Sequence, residues 1–207
     1  MAPIRFYHCP WSRSSNTLFL LEELGVPYEI EVTDVRAGAG QTPAYLAINP
    51  MGKVPAIVDD GQIVTESGAI CLYLADKYPA AGLAPPVGDP RRAAYVRWLF
   101  LAPVIDAVLV ERMWKREPMP AATAGYGDYE RLMRTFKALM TGSPWLLGDQ
   151  FTTADVIVCG GLPWAFAQNT LPKEAPFAAY AERIEARPAY QRAQARDAEL
   201  QATLGQP

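Results

Sequence analysis

A proline at the head of an apolar strand is the feature that most restricts this chain. Asn49-Pro50-Met51-Gly52-Lys53-Val54-Pro55-Ala56-Ile57-Val58 passes from a breaker pair into a strand pattern through Val54-Pro55. Proline has no backbone N–H and is normally kept out of sheet interiors. A cis Val54–Pro55 bond reconciles the two. The strand then begins at a sharp turn, and the backbone groups of Val54 face outward instead of joining the ladder. Such a turn offers one N–H and one C=O to an extended, peptide-like ligand. Glu66-Ser67 follows the next strand and opens a helix, whose free N–H groups favour a carboxylate. A backbone clamp beside a carboxylate-binding helix start points to a small acidic peptide.

The elements around this stretch follow from periodicity. Ile4 to His8 alternates as a strand, and Cys9-Pro10-Trp11-Ser12-Arg13-Ser14-Ser15 is a loop with three serines able to cap a helix. A helix is expected from Asn16 to Leu24, stopped by Gly25 and Pro27, and a second strand over Tyr28 to Val32. The short break between them makes a βαβ unit with parallel strands. Thr42 to Ala47 reads as a short helix. Val54 to Val58 and Gln62 to Val64 read as strands joined by a tight turn at Asp59-Asp60-Gly61, and Ser67 to Tyr78 as a helix stopped by Pro79. The order β-α-β, loop, β-β-α is an α/β, thioredoxin-like half.

A proline- and glycine-rich stretch then divides the chain. Residues 1–79 form the expected first domain, 80–89 a linker and 90–207 an all-α helical domain. Asp89-Pro90 is expected to start a long helix that Pro103 kinks, Asp128 to cap the next helix, and Thr152 with Asp155 to form a capping box.

Charge and cysteine content exclude several classes. The net charge is −3, so no basic field draws nucleic acid or anionic lipid. No membrane association is expected, because the longest apolar run, Trp98 to Val110, is broken by Pro103 and Asp106. The 3 cysteines, Cys9, Cys71 and Cys159, are odd in number and widely spaced, which argues against a disulfide framework and for a reducing, cytoplasmic setting. Met1-Ala2-Pro3 leads straight into a strand, with no signal-peptide pattern. The sole histidine, His8, excludes a metal site built on two histidines, and no metal or resident cofactor is expected. A Ser-His-Asp triad remains possible by count, with no nucleophile-elbow pattern to support one.

Taken together, Asn49 to Ile57, Thr65-Glu66-Ser67-Gly68-Ala69-Ile70, Tyr73-Leu74-Ala75, Leu20 to Glu29 and Phe151-Thr152-Thr153-Ala154-Asp155 resemble the cytosolic glutathione transferase family. The loop is similar to that of bacterial, serine-type members with beta- or zeta-like character. The resemblance runs from Ile4 to about Tyr190. It implies a thioredoxin-like domain followed by an all-helical one, a homodimer, a role in detoxification, and glutathione as co-substrate.

The resemblance also implies roles. Val54, turned by Pro55, pairs with the cysteinyl part of glutathione. Glu66 and Ser67 hold the γ-glutamyl end, and Lys53 meets the glycine carboxylate with Gln41 assisting. Ser12 is the first candidate for thiolate activator and Ser14 the second, each with helix capping as its plain alternative. Tyr7 is a rival, since tyrosine-type members carry their activator near the end of strand one. Arg13 stands where beta- and zeta-like members often carry cysteine, which argues against a mixed disulfide there. Cys9-Pro10-Trp11-Ser12 also reads as a CPxS motif, in which Cys9 would attack disulfides. Trp11, Met113 and Trp114, with Trp164 and Phe166, are candidates for an apolar wall around a hydrophobic electrophile. Three functions follow: a glutathione transferase, a glutathione-dependent thiol transferase or disulfide reductase using Cys9, or a non-catalytic binding module on the same fold.

Overall fold

The computed structural model describes residues 2–117, 119–120, 122–140 and 142–204. It divides into two compact units, one of Met1–Ala81 with Ala186–Pro207 and one of Gly82–Glu185.

The first unit is built on a mixed sheet of order β2-β1-β3-β4, formed by β1 (Ile4–His8), β2 (Tyr28–Val32), β3 (Ala56–Asp59) and β4 (Gln62–Thr65). β1 and β2 are parallel, from Ile4 opposite Tyr28 to His8 opposite Val32. A parallel pair needs a crossover, and α1 (Ser14–Leu24) supplies it. Gly25 closes α1 in the left-handed region at φ 65°, its N–H donating to the Leu21 carbonyl at 3.0 Å. β3 runs antiparallel to both β1 and β4. The β3–β4 hairpin turns on Asp60 and Gly61 at φ 48° and 79°, the pair of positive values that a type I′ turn requires. The short α2 (Pro43–Leu46) and α3 (Ser67–Lys77) complete the βαβ-ββα thioredoxin-like half. Phe6, Leu18, Leu20, Leu21, Ile57, Ile70 and Leu74 are all fully buried in this unit. Each such side chain contributes roughly 1.5–3 kcal/mol by leaving water.

The last helix, α9 (Pro188–Leu204), belongs to this unit, whereas the sequence reading put residues 90–207 together. Its buried face, Ala189, Tyr190, Ala193 and Asp197, needs apolar and polar partners that α1 and the end of β1 offer. Tyr190 packs edge-on to Phe19 at 5.2 Å between ring centroids. Arg187 grips Glu23 through two hydrogen bonds of 2.5 and 2.8 Å, and Arg192 reaches Glu22 at 2.6 Å. Order along the chain does not reveal such a return, because only the complementary faces specify it.

The second unit is helical: α4 (Arg92–Met113), α5 (Tyr129–Leu139), α6 (Thr153–Cys159), α7 (Leu162–Ala167) and α8 (Phe177–Glu185). α4 is long and apolar enough to span a membrane by length and composition. Its Tyr95, Trp98, Leu99 and Ile105 are buried, and α6 is its main partner, as in a core helix. It runs as one element through Pro103 and begins at Arg92, later than expected. Asp89 is occupied instead by the Arg91 N–H at 2.8 Å and the Arg91 guanidinium at 2.7 Å. Asp128 caps α5, accepting the Arg131 N–H at 2.8 Å. The capping box at α6 is present: Asp155 accepts the Thr152 N–H at 2.7 Å and also the Leu146 N–H at 2.9 Å and the Tyr180 hydroxyl. The stretch expected as a linker is tied to this unit, for the Leu83 carbonyl accepts the Thr153 N–H at 2.9 Å.

Candidate active site

Strand register brings the candidate residues to one end of the sheet. Tyr7 pairs with Ala56, and Ala56 pairs with Thr65. Continuing the antiparallel register past Ala56 places Val54-Pro55 beside the start of the loop after His8 on one side and beside Glu66-Ser67 on the other. Three segments far apart in sequence therefore converge within the first unit.

The Val54–Pro55 bond is cis. Among the described residues no hydrogen bond uses the Val54 N–H or carbonyl. The preceding carbonyl explains how they are aimed. Lys53 O accepts from the Tyr45 hydroxyl at 2.5 Å and from Asn49 Nδ2 at 2.7 Å. In a trans peptide the N–H opposes the carbonyl, so holding Lys53 O inward turns the Val54 N–H outward. Tyr45 and Asn49 thus orient the clamp. Asn49 opens the 49–58 stretch with no role that its sequence alone suggests, and nothing in local sequence marks Tyr45 as its partner on Lys53 O.

Two loops cross closely here. Gly52 has φ 64°, and a Cβ on it would lie 2.7 Å from the Gly40 carbonyl oxygen and 2.4 Å from Gln41 Nε2. The Gln41 side-chain amide is thereby brought beside Gly52. Lys53 is exposed and makes no ion pair among the described residues.

Ser67 is the first residue of α3, so its N–H is one of the orphan donors of a helix start. Glu66 precedes it at φ 67° and ψ 122°, is exposed, and makes no side-chain cap. A non-glycine residue at such a φ costs of order 1–3 kcal/mol, and that cost persists where the surroundings over-determine it. The Glu66 carboxylate makes no ion pair among the described residues and stands next in sequence to the Ser67 N–H at the helix start.

The loop after β1 separates the candidate activators. Ser12 is partly exposed, donating to the Cys9 carbonyl at 2.7 Å and lying 2.8 Å from Ser14 Oγ. Its oxygen also accepts the Ser14 N–H at 3.2 Å. None of the three serines caps α1 in the expected sense: the helix starts at Ser14 behind Arg13, with no side-chain cap. Ser14 is fully buried and meets Nδ1 of His8 at 2.7 Å. The other ring nitrogen of His8 is 2.7 Å from Asp197 Oδ1. Asp197 Oδ2 accepts the Ser15 hydroxyl at 2.5 Å and the Trp11 N–H at 3.3 Å. The sequence reading noted His8 as the sole histidine and missed Asp197, which lies 189 residues away with no motif to flag it.

Cys9 is 1% exposed, and burial pushes its thiol up, despite a backbone hydrogen bond from Val35 and the charge of Arg36. Its sulfur faces Asp34 Oδ1 at 3.8 Å, a further obstacle to a thiolate. Tyr7 is buried against Tyr45 at 5.4 Å between ring centroids, in a cluster with Ala56. Trp11 is 60% exposed on a positive φ of 54°. Met113 and Trp114 stand at the C-terminal end of α4 in the second unit, Trp114 mostly exposed.

Similarity to known proteins is extensive. Residues 8–77 match the family described as glutathione S-transferase, N-terminal domain. Glutathione S-transferase 3 of Zea mays is 30% identical over 166 residues, which are 75% of this chain and 75% of that protein. Disulfide-bond oxidoreductase YfcG of Escherichia coli K12 is 30% identical over 205 residues, 90% of this chain and 92% of that one. Among solved structures, a glutathione transferase from Methylococcus capsulatus superposes with a TM-score of 0.78 at 32% identity, covering 95% of this chain and 99% of its own. A sphingomonad glutathione S-transferase complexed with glutathione gives 0.75 at 29% identity, covering 94% and 98%.

Proposed function

The chain belongs to the glutathione S-transferase family, and from that premise we propose that it binds glutathione along Val54 and at Glu66-Ser67 and activates the thiol with Ser12 for attack on an apolar electrophile. The observation that carries this reading is the division of labour in the loop after β1. Ser12 is the candidate hydroxyl with an exposed part, whereas Ser14 and Cys9 are buried.

A free thiol titrates near pH 8.5, so only a few per cent is thiolate at neutrality. Each unit of lowering corresponds to about 1.4 kcal/mol of preferential thiolate stabilisation. A hydroxyl donating to sulfur supplies about that much. Val54 aligns the peptide by its N–H and carbonyl. Ser67 N–H takes the γ-glutamyl carboxylate, Glu66 faces its ammonium, and Lys53 with Gln41 meets the glycine end. Trp11, exposed on the loop that carries Ser12, offers apolar surface to the electrophile. The protein is proposed to work as a cytoplasmic homodimer in detoxification, without a metal.

Ultraviolet titration of bound glutathione, with conjugation of a chloronitroarene, tests the reading. Ser12→Ala is expected to raise the bound thiol by about one unit and to lower kcat/KM about tenfold or more, with glutathione affinity little changed. Unchanged thiolate and turnover in Ser12→Ala would remove Ser12 from this role.

A second reading has one observation in its favour, the disulfide-bond oxidoreductase name of a relative matched over nearly its whole length. Disulfide reduction through Cys9 requires a thiolate that its burial and the nearby Asp34 oppose. Loss of glutathione-dependent disulfide reduction in Cys9→Ser, with conjugation intact, would establish this second route.

A further inference from the structure

Behind Ser12 lies a buried line of hydrogen-bonding groups, Ser12 Oγ, Ser14 Oγ, His8 and Asp197, spaced at 2.8, 2.7 and 2.7 Å. His8 and Ser14 are wholly shielded from solvent, and Asp197 nearly so. Capping of the turn, in which Ser12 Oγ accepts the Ser14 N–H and Ser14 Oγ the Cys9 N–H, does not explain why His8 and Asp197 continue the line. Nor does packing, which an apolar set would serve at lower desolvation cost.

The partners limit how the donors are arranged. Asp197 already accepts from the Ser15 hydroxyl and the Trp11 N–H, so its remaining oxygen faces His8 as an acceptor. Nε2 of His8 is then the protonated nitrogen, and Nδ1 is an acceptor for the Ser14 hydroxyl. Ser14 Oγ accepts the Cys9 N–H at 3.1 Å, and the Cys9 carbonyl is a second acceptor within reach of both hydroxyls, 2.7 Å from Ser12 Oγ and 3.1 Å from Ser14 Oγ. Ser12 Oγ accepts the Ser14 N–H and retains one lone pair. In this arrangement Ser12 has no proton to offer outward. Turned from the Cys9 carbonyl onto the line, the Ser12 hydroxyl donates to Ser14 and the Ser14 hydroxyl to His8.

We propose that His8, oriented by Asp197, receives the thiol proton of glutathione through Ser12 and Ser14. This rests on the assignment of Ser12 made above. In the step, the sulfur–hydrogen bond breaks and its proton goes to Ser12 Oγ. The Ser12 proton passes to Ser14 Oγ, and the Ser14 proton passes to His8 Nδ1. Sulfur keeps the electron pair as a thiolate and His8 becomes an imidazolium beside Asp197, so net charge is unchanged. The same shift reverses every hydroxyl. Ser14 now donates to Ser12, and Ser12 donates to the thiolate. One event thus forms the thiolate and aims at it the hydrogen bond that stabilises it. After the thiolate is consumed, the proton returns along the same chain to the product or to water. His8 acts through two other residues, so it is a positioning and proton-holding group that does not touch substrate.

The decisive measurement is a proton count on the unaltered protein. Glutathione is bound in buffers of different ionisation enthalpy while the thiolate is read by ultraviolet absorbance. The expected result is thiolate formation with almost no proton released to buffer. Release of about one proton per thiolate formed would overturn the relay while leaving Ser12 as activator. Absence of thiolate in the wild-type complex would instead sink the reading on which the relay rests. Two variants add a second arm. Ser14→Ala and His8→Gln, each checked for native circular dichroism, are expected to lower kcat about a hundredfold with glutathione KM within about twofold, and any residual thiolate should appear with its proton in the buffer. Wild-type kcat in both well-folded variants would equally overturn the proposal.

Discussion

At the scale of single residues, Glu66 shows a conformation held against its own preference. A side chain at φ 67° is disfavoured by contacts of its Cβ, which glycine lacks. Glu66→Gly is therefore expected to raise stability by about 1 kcal/mol, seen as a melting temperature higher by about 2–4 °C in a chain of this size. The same change removes a carboxylate, so glutathione affinity measured by calorimetry should fall about tenfold. A drop in both quantities would show that Glu66 is not held against its preference. Cys9 gives a second expectation at this scale. Its buried thiol is pushed up, so alkylation by a neutral-pH thiol reagent should be slow in the native protein and fast after unfolding. Rapid native labelling at Cys9, identified by mass spectrometry, would contradict its burial. The residues of the candidate site were unevenly legible. Val54, Glu66 and Ser67 sit in compact motifs whose local chemistry announces them. Asp197 and Tyr45 do not, because each acts on a partner that only the folded chain brings near.

At the scale of elements, the crossing of the Gly40 and Gly52 loops sets where Gln41 and Lys53 stand. A Cβ on Gly52 meets the Gly40 carbonyl at 2.7 Å, backbone that has no rotamer with which to yield. The residue also occupies φ 64°. Gly52→Ala is expected to cost about 2–3 kcal/mol from overpacking and backbone strain together. Because the displaced segment carries Lys53 and the Val54 clamp, KM for glutathione should rise more than kcat falls. Steady-state kinetics with thermal melting separates the two effects, and a stable variant with unchanged KM would show the crossing to be incidental. The elements themselves were largely legible, since alternation marks β1 and β2, and Asp60-Gly61 marks the hairpin. Boundaries were less so. α1 begins at Ser14 and not at Asn16, because the Ser15 and Asn16 N–H groups bond back to Ser12 and Arg13 carbonyls at 3.0 and 3.3 Å. α4 begins late because Asp89 is drawn to Arg91.

At the scale of the whole molecule, the return of α9 to the first unit makes that unit discontinuous in sequence and places Asp197 against His8. The periodicity of α9 marks a buried face but not its partner, which is why its return was not legible in the sequence. Burial on this scale also sets the response to alkali. Cys71, on α3, has no polar compensation, and desolvation alone pushes its thiol up to about 12. The Tyr45 phenol is likewise pushed up to about 12, chiefly by burial. Both groups bind their proton more tightly folded than unfolded. Their contribution is therefore fully present below the unfolded thiol and phenol values, about 8.5 and 10, and is lost as pH rises toward 12. At about 1.4 kcal/mol per unit, Cys71 by itself amounts to roughly 4–5 kcal/mol, set against a total stability of about 5–15 kcal/mol. Urea midpoints should thus hold steady near neutrality and fall steeply from about pH 9 upward. Cys71→Ala loses some stability at neutral pH through the cavity it leaves. Its midpoint should nevertheless decline less steeply with pH, because one alkaline-titrating group has been removed from the unfolded chain. A decline as steep as that of the wild type would mean that Cys71 does not govern the alkaline limit, and Tyr45→Phe would then be the variant expected to flatten it.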